Sequence, residues 1–297
     1  MSSITEKIKE LRQRTQAGFM DCQKALKECG EDVEKAIIWL REKGIAKAAK
    51  KADAIAAEGL TNAIVKDDLG LVIEVNTQTD FVAKNENFTE LFNEIAEAIF
   101  KNKKTSKEEV EEMKLPSGND VKTACVELTA KIGEKIEFRR AELISKTKDQ
   151  TFGAYQHSNG RISSIVLIDG KVSADVAKDV AMHLTAMNPR FLNKDSVDKN
   201  WLETEKKLLL EKSKEEAKSA KKDPKFAEKI VEGRLNKILA ENCLEDQPFF
   251  KEPSLTIKKY LEQNKGKLVK MVRFELGEGI EKKVVDFASE VAAQMKK

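Results

Sequence analysis

Through residues 1–42, apolar residues recur at the spacing of a helix face. They form three stripes: Ile4, Ile8 and Leu11; then Cys22, Ala25, Leu26 and Cys29; then Val33, Ile37 and Leu40. The pattern therefore predicts three short helices. An Ala- and Lys-rich stretch over residues 44–58 has little apolar bulk and predicts a helical connector with few tertiary contacts. The first domain, with its connector, is predicted at residues 1–55.

From Gly59 onward the pattern changes to the short apolar runs of strands. The predicted elements are strands over 60–66 and 71–76, an amphipathic helix over 88–100, a surface segment over 101–120, a helix over 121–132 and a strand over 135–143. The surface segment is rich in lysine and glutamate and is interpreted as a loop or a partly helical stretch. These elements predict a first α+β subdomain at residues 56–145.

The second half repeats the order of a hairpin followed by a helix. Strands over 152–157 and 161–168 are predicted around Ser158-Asn159-Gly160, a strong signal for a tight turn. The helix after them is predicted to stop at Asn188-Pro189. The two halves share the order of their secondary-structure elements but no similarity in amino-acid sequence. The shared order predicts a second, similar α+β subdomain at residues 146–276.

Two charged helices with narrow apolar stripes follow, separated by a break at Asp223-Pro224. They predict a helical hairpin at residues 195–242 inserted into the second subdomain. After it come a short helix over 256–264, a strand over 269–276 and an amphipathic helix carrying Val284, Ala288, Val291 and Met295. Residues 277–297 are predicted to form a C-terminal helical module. The fold class predicted for the whole chain is α+β.

Composition narrows the classes of function. The 297 residues include 54 basic and 51 acidic side chains, and the formal net charge is +3. A nucleic-acid-binding protein usually has a clear basic excess, so direct binding to nucleic acid is not expected. The four cysteines form no CxxC pair, which is typical of reduced thiols. No signal peptide or apolar run of membrane length is present, so a soluble, cytoplasmic protein without a membrane partner is expected.

Candidate catalytic chemistry is sparse. The sequence contains no Walker loop, GxGxxG fingerprint or HExxH motif. Of the two histidines, His183 is predicted to be packed against an apolar helix face, and His157 lies at a predicted hairpin tip that is better placed for contact. Gly277-Glu278-Gly279 is too short for a phosphate-binding loop. A binding protein is therefore expected, not an enzyme, with no metal site and no cofactor.

The most informative segment runs from Glu74 to Lys84. A buried strand ends there in Thr79-Asp80-Phe81-Val82-Ala83, hereafter the tip, before the next helix begins. In one interpretation Phe81 is a core anchor and Asp80 a helix cap. In the other, both side chains project from a rigid scaffold to bind a partner.

The segment from Glu74 to Lys84 closely resembles a signature of the elongation factor Ts family, bacterial factors that release GDP from elongation factor Tu. Leu11 to Cys22 resembles the family's N-terminal signature. Shorter matches follow in the family's order at residues 130–134, 155–157, 181–183, 232–234, 247–249 and 277–282. From the residues alone, Phe19 and Met20 are equally compatible with a core position and with a surface that faces a partner.

The resemblance implies an N-terminal domain like ubiquitin-associated domains, two similar α+β subdomains, an inserted helical hairpin and a C-terminal module. It implies a guanine-nucleotide exchange factor that binds the GDP form of elongation factor Tu, releases GDP and is displaced when GTP binds. Asp80, Phe81, Val82 and Ala83 would disturb the GTPase's magnesium site. Further contacts are implied for Leu11, Phe19, Met20, Ile132, Gly133 and His157. The sequence leaves open a homodimer or a 2:2 complex, and the segment over 101–120 is longer than expected for the family.

Three rival functions make different predictions. A protein that binds RNA or the ribosome through its lysine-rich helices would lose affinity steeply with salt. An adaptor for ubiquitin-like partners would bind through residues 1–55 alone. A hydrolase would lose turnover when His157 or His183 is changed.

Overall fold

The computed structural model describes residues 3–15, 17–219 and 224–281, and it contains both helices and strands, as the α+β class requires. Contacts divide the chain into two units with interleaved segments. The first unit comprises Met1–Thr61, Ile73–Ala141 and Glu275–Lys297, and the second comprises Asn62–Val72 and Glu142–Phe274. The four-part division predicted from the sequence stays a prediction. The predicted helix with Val284, Ala288, Val291 and Met295 lies outside the described residues.

The described residues form eleven α-helices and eight strands. The helices are α1 Ile4–Thr15, α2 Phe19–Glu28, α3 Val33–Ala49, α4 Asp80–Ala83, α5 Glu86–Asn102, α6 Lys107–Glu111, α7 Val121–Ile132, α8 Ala174–Met187, α9 Lys199–Ser219, α10 Pro224–Asn242 and α11 Ile257–Gln263. The strands are β1 Glu58–Lys66, β2 Leu69–Thr77, β3 Ile136–Ser145, β4 Gln150–His157, β5 Ile162–Asp169, β6 Pro248–Phe249, β7 Glu252–Thr256 and β8 Lys267–Glu275. The sheet orders are β1-β2-β3, β4-β5-β8 and β6-β7. Among these helices, none combines the length and the apolar character that crossing a membrane demands.

The first three helices confirm the predicted helical pattern at the N-terminus. Their shared core contains Ile8, Leu11, Cys22, Ala25, Leu26 and Ala36. The Asp32 side chain caps α3 by accepting a hydrogen bond from the backbone N–H of Lys35 at 3.0 Å. Ile4 was predicted to share the buried face and is exposed, because it is the first residue of α1 and lies beyond the core.

Helix α3 is longer than the pattern predicts. It continues to Ala49, which confirms the helical character expected from residue 44 onward for the first part of that stretch. This part packs against α7, so the expectation of few tertiary contacts is wrong there. A Cβ on Gly44 would lie 3.0 Å from the Ala130 Cβ, which shows how closely the two helices approach. The Arg41 guanidinium also pairs with the Glu127 carboxylate at 3.0 Å.

The segment over 101–120 contributes to the core of the first unit. It contains the short helix α6, and Val110, Met113 and Leu115 are all buried. The expectation of a purely surface segment is therefore wrong. These apolar residues stand singly among lysines, glutamates and a proline, so they produce no periodic pattern to detect.

In the second unit, β4 and β5 form the predicted hairpin. Gln150 pairs with Asp169 at one end and His157 with Ile162 at the other, and Ser158, Asn159 and Gly160 all have positive φ. A Cβ on Gly153 would lie 1.9 Å from the backbone oxygen of Ala177, so only glycine allows α8 to lie this close to β4. The core between sheet and helix includes Val166, Ile168, Val180, Leu184, Phe249 and Leu261.

Helices α9 and α10 form in the region predicted for a helical hairpin, and they pack against each other. The Arg234 guanidinium pairs with the Glu216 carboxylate at 2.7 Å and donates to the Ser213 hydroxyl at 3.4 Å. Near the start of α9, the rings of Phe191 and Trp201 lie 5.0 Å apart. The insertion of this pair into a separate subdomain stays a prediction.

His183 is buried in the second unit, as its apolar helix face predicts. Its Nδ1 accepts a hydrogen bond from the backbone N–H of Phe250 at 3.3 Å, and its Nε2 lies 3.0 Å from the Gln247 Oε1. The first contact requires an unprotonated Nδ1, so Nε2 carries the proton and donates to Gln247. Burial lowers the pKa of His183 below its ordinary value of 6.5, and the hydrogen bond with Gln247 offsets part of this effect.

This environment predicts a weaker fold in acid. The unfolded chain binds the His183 proton more readily than the folded chain does, so the free energy of unfolding falls as the pH drops below about 6.5. The group contributes at most about 1.4 kcal/mol per pH unit. Urea unfolding at pH 7.5 and pH 5.5, compared between the native chain and His183→Gln, isolates this slope from other groups. Equal slopes in the two proteins would contradict the prediction.

The cysteines are free thiols: Cys22, Cys125 and Cys243 are buried, and Cys29 is partly buried. Burial raises the pKa of Cys125 to about 12 and that of Cys243 to about 11. Both thiols therefore stay protonated at neutral pH, which is the behaviour of structural cysteines.

Candidate functional site

The tip presents one large apolar side chain to solvent. Strand β2 ends at Thr77, and α4 begins at Asp80. Phe81 is 79% exposed, more than any other large apolar side chain in the described part of the chain. The core-anchor interpretation of Phe81 is therefore wrong. Val82 and Ala83 are buried and fill the core positions of this turn, which directs the ring of Phe81 outward.

Asp80 places a carboxylate beside that ring. It lies at the first position of α4, where a negative charge is favoured, while Thr79 occupies the N-cap position and Asn85 caps α5. The Asp80 carboxylate pairs with the Lys84 ammonium at 2.9 Å, and the same ammonium lies 5.9 Å from the centre of the Phe81 ring. An exposed pair of this kind contributes little free energy, so it can be exchanged for another partner at low cost.

The structure brings the tip next to the end of α7. The Thr79 hydroxyl lies 3.0 and 2.9 Å from the two carboxylate oxygens of Glu134, and the backbone N–H of Lys135 donates to the Gln78 Oε1 at 2.9 Å. Glu134 follows Gly133, which ends α7 with φ at +89°. Because that conformation favours glycine, Gly133 allows the chain to turn there and present Glu134 to the tip. Ile132 and Gly133, both predicted contacts, thus lie beside the tip in the first unit.

A second exposed group lies at the start of α2. Phe19 is 47% exposed and Met20 is 72% exposed, so the interpretation of these residues as core is wrong. Phe19 borders an open groove of about 540 Å³ that is otherwise lined mainly by α1. Leu11 is fully buried in the helical core. Its direct contact with a partner stays a prediction.

His157 belongs to the second unit and ends β4. It is exposed, and its Nδ1 lies 3.1 Å from the Tyr155 hydroxyl, which holds the ring at the hairpin. Its contact with a partner stays a prediction. So do the contacts of Val82 and Ala83, which in the free chain anchor the tip.

Sequence reasoning missed a buried polar network in the first unit. The Glu74 carboxylate, fully buried in β2, accepts hydrogen bonds from Arg139 at 2.7 Å, Arg140 at 2.6 Å and the backbone N–H of Gly277 at 2.8 Å. The Arg140 guanidinium also donates to the Glu275 backbone oxygen at 3.1 Å. We name these residues the Glu74 network. The available signal was a lone carboxylate in an apolar strand together with adjacent arginines in a later strand.

No three His, Cys, Asp or Glu residues in the described ranges are grouped so that they could hold a metal ion. The site itself consists of an apolar ring and a carboxylate on a short turn, supported by buried neighbours and side-chain hydrogen bonds.

Comparison with known proteins decides the family. The model of the family described as elongation factor TS matches residues 78–278. The chain is 58% identical to elongation factor Ts of Malacoplasma penetrans, over all of both chains. It is 50% identical to elongation factor Ts of Ureaplasma urealyticum, over 98% of this chain and 99% of that one. The chain belongs to the elongation factor Ts family.

Membership of the elongation factor Ts family makes the chain a translation elongation factor, with a part in protein biosynthesis. The family match covers the whole of the tip, α7 and the β4–β5 hairpin, and it ends at Glu278. The N-terminal helices lie outside that match and inside the full-length similarity to elongation factor Ts of Malacoplasma penetrans.

Proposed function

We propose that this chain is a guanine-nucleotide exchange factor for elongation factor Tu and that the tip carries out the exchange. The observation that carries the proposal is the exposed ring of Phe81 beside the Asp80 carboxylate, on a turn whose other residues are buried or hydrogen-bonded. An apolar side chain of this size, left in water by the free protein, gains free energy when a partner covers it.

The tip acts on the magnesium and phosphate site of GDP-bound elongation factor Tu. Mg²⁺ requires nearly ideal octahedral coordination, so a small shift of one ligand or of the helix that carries it weakens both the ion and the nucleotide. Phe81 fills a pocket of the GTPase and holds the shifted arrangement. Burying one such ring contributes about 2 kcal/mol, which is roughly a thirtyfold change in an equilibrium constant. Asp80 competes for polar groups near the ion.

The other predicted contacts hold the complex together. If the factor weakens GDP binding by some ratio, GDP weakens binding of the factor by the same ratio. Contacts by Phe19, Met20, Ile132, Gly133 and His157 offset that loss, while Leu11, Val82 and Ala83 keep the contact surfaces in shape. No covalent bond is made or broken, so the chain is not an enzyme, and it needs no cofactor of its own. GTP binding then displaces it.

Stopped-flow release of a fluorescent GDP from elongation factor Tu tests the proposal. Saturating amounts of this chain should accelerate release strongly. Release measured after Mg²⁺ is chelated gives the rate of GDP dissociation in the absence of the ion. If this chain acts through the magnesium site, adding it under those conditions should increase the release rate only slightly. Circular dichroism checks that the added chain is folded. A folded chain that leaves the release rate unchanged would overturn the proposed function.

A further inference from the structure

The tip is short and has little means of holding its own orientation. Helix α4 has only four residues, too few for an isolated helix to be stable. Its two core side chains, Val82 and Ala83, are small. An exposed aromatic ring on such a turn would sample several directions unless neighbouring groups fixed the backbone before it.

Two hydrogen-bonded links fix that backbone. The Thr79 hydroxyl lies within 3.0 Å of both carboxylate oxygens of Glu134. A hydrogen bond to an ionised acceptor is about twice as strong as a neutral one. One residue earlier, the Gln78 side chain accepts from the backbone N–H of Lys135 at 2.9 Å. Adjacent residues of the β2–α4 connection are thus joined to adjacent residues of the α7–β3 connection.

A third link lies on the far side of the tip. The Lys131 ammonium contacts the Asn87 Oδ1 at 2.7 Å, and Asn87 lies in the first turn of α5. The chain is therefore joined to the end of α7 both before and after the tip. The residues that would touch the GTPase, Asp80 and Phe81 on one side and Ile132 and Gly133 on the other, are parts of one connected surface.

We propose that Glu134 is a positioning residue, which fixes the tip through Thr79 so that Phe81 and the α7 end enter the GTPase in one preformed arrangement. The inference rests on the exchange function proposed above. A surface that is ordered before binding loses less conformational entropy when the complex forms, and its contacts are held at the required geometry. Glu134 itself need not touch the GTPase.

Four variants distinguish a positioning role of the Thr79–Glu134 hydrogen bond from a general contribution of these residues to the fold. Thr79→Val keeps the shape and removes the hydroxyl, Thr79→Ser keeps the hydroxyl, and Glu134→Ala removes the acceptor. The double variant Thr79→Val/Glu134→Ala removes the whole link. Thr79→Val and Glu134→Ala should each lower the maximal rate of GDP release at saturating factor by about tenfold. The double variant should be no slower than either single change, and Thr79→Ser should retain at least about half the native rate.

Thr89→Val is the matched control. Its hydroxyl is exposed and donates to the backbone oxygen of Asn85, the N-cap residue of α5, at 3.2 Å and not to Glu134. It should leave the release rate unchanged. All variants should keep the native unfolding midpoint within about 2 °C, since an exposed or half-exposed hydrogen bond contributes little to global stability. Native rates in Thr79→Val and Glu134→Ala, or losses that multiply in the double variant, would overturn the proposal.

Hydrogen–deuterium exchange separates this inference from the exchange function. The amides of residues 80–84 should exchange several-fold faster in Thr79→Val and Glu134→Ala than in the native chain, Thr79→Ser or Thr89→Val. If the native chain fails to accelerate GDP release, the proposed exchange function is wrong. Amide exchange then still tests whether the hydrogen bond between Thr79 and Glu134 orders the tip. If the native chain is active and amide exchange is unchanged in all variants, the positioning role of Glu134 is wrong.

Discussion

Replacing Phe81 with Ala is expected to slow factor-stimulated GDP release by roughly thirtyfold or more while leaving the fold intact. The ring is 79% exposed in the free chain, so removing it costs the folded state almost no packing. In the complex the same ring would be covered, and its loss would remove about 2 kcal/mol of the free energy that holds the disturbed magnesium site. The change should therefore affect exchange and not stability.

Stopped-flow release and urea unfolding, measured on the same preparation, check this prediction. Val65→Ala is a suitable control, because Val65 is another exposed apolar side chain and belongs to a strand outside the candidate contacts. Asp80→Asn should give a smaller loss than Phe81→Ala, since it keeps the volume of the side chain and removes only its charge. A Phe81→Ala protein that unfolds, or one that releases GDP at the native rate, would refute the role assigned to the ring.

The second large effect concerns stability. Replacing Glu74 with Ala is expected to lower the free energy of unfolding by about 3 kcal/mol. Three donors, from Arg139, Arg140 and Gly277, would lose their shared buried acceptor. The two guanidinium groups are partly exposed, so water compensates some of the loss, and the backbone N–H of Gly277 receives the least compensation.

Urea unfolding of Glu74→Ala, Glu74→Gln and Glu142→Ala tests the prediction. Glu142 forms an ion pair with Lys270 at 2.6 Å, but both side chains are well exposed, so Glu142→Ala should cost less than about 1 kcal/mol. The loss in free energy of unfolding for Glu74→Gln should lie between those for Glu74→Ala and Glu142→Ala, because glutamine keeps an acceptor and loses the charge. A loss for Glu74→Ala no larger than that for Glu142→Ala would show that the Glu74 network contributes little to stability.

Most of the secondary structure could be predicted from local patterns in the sequence. The stripe Cys22, Ala25 and Leu26 located α2, and the run Leu71 to Val75 located β2, because a single face or a short buried run suffices to identify each element. Ser158-Asn159-Gly160 located the β4–β5 turn, since asparagine and glycine readily adopt the positive φ that such a turn requires. Such signals depend only on neighbours along the chain.

Tertiary partners were the part that could not be predicted from a single sequence. The Glu74 network joins three separate segments, and no spacing rule connects Glu74 with Gly277. Phe81 is exposed because Val82 and Ala83 take the core positions. The local sequence Asp-Phe-Val-Ala does not determine which of these apolar side chains is buried. The small β6–β7 sheet was missed altogether, because two residues in β6 are too few to give a period. Glu134 stood in a noted motif, but its partner Thr79 lies 55 residues away.

The interleaved segments of the two units have an evolutionary consequence. The chain passes between the units at residues 61/62, 72/73, 141/142 and 274/275, so any contiguous stretch that contains the whole of one unit also contains residues of the other. Gene fusion and recombination move contiguous stretches of DNA. The first unit, which carries the tip, therefore cannot be transferred to another protein as a cassette unless residues of the second unit are transferred with it. Its descent should follow that of the full-length chain, with change accumulating by substitution instead of by domain exchange.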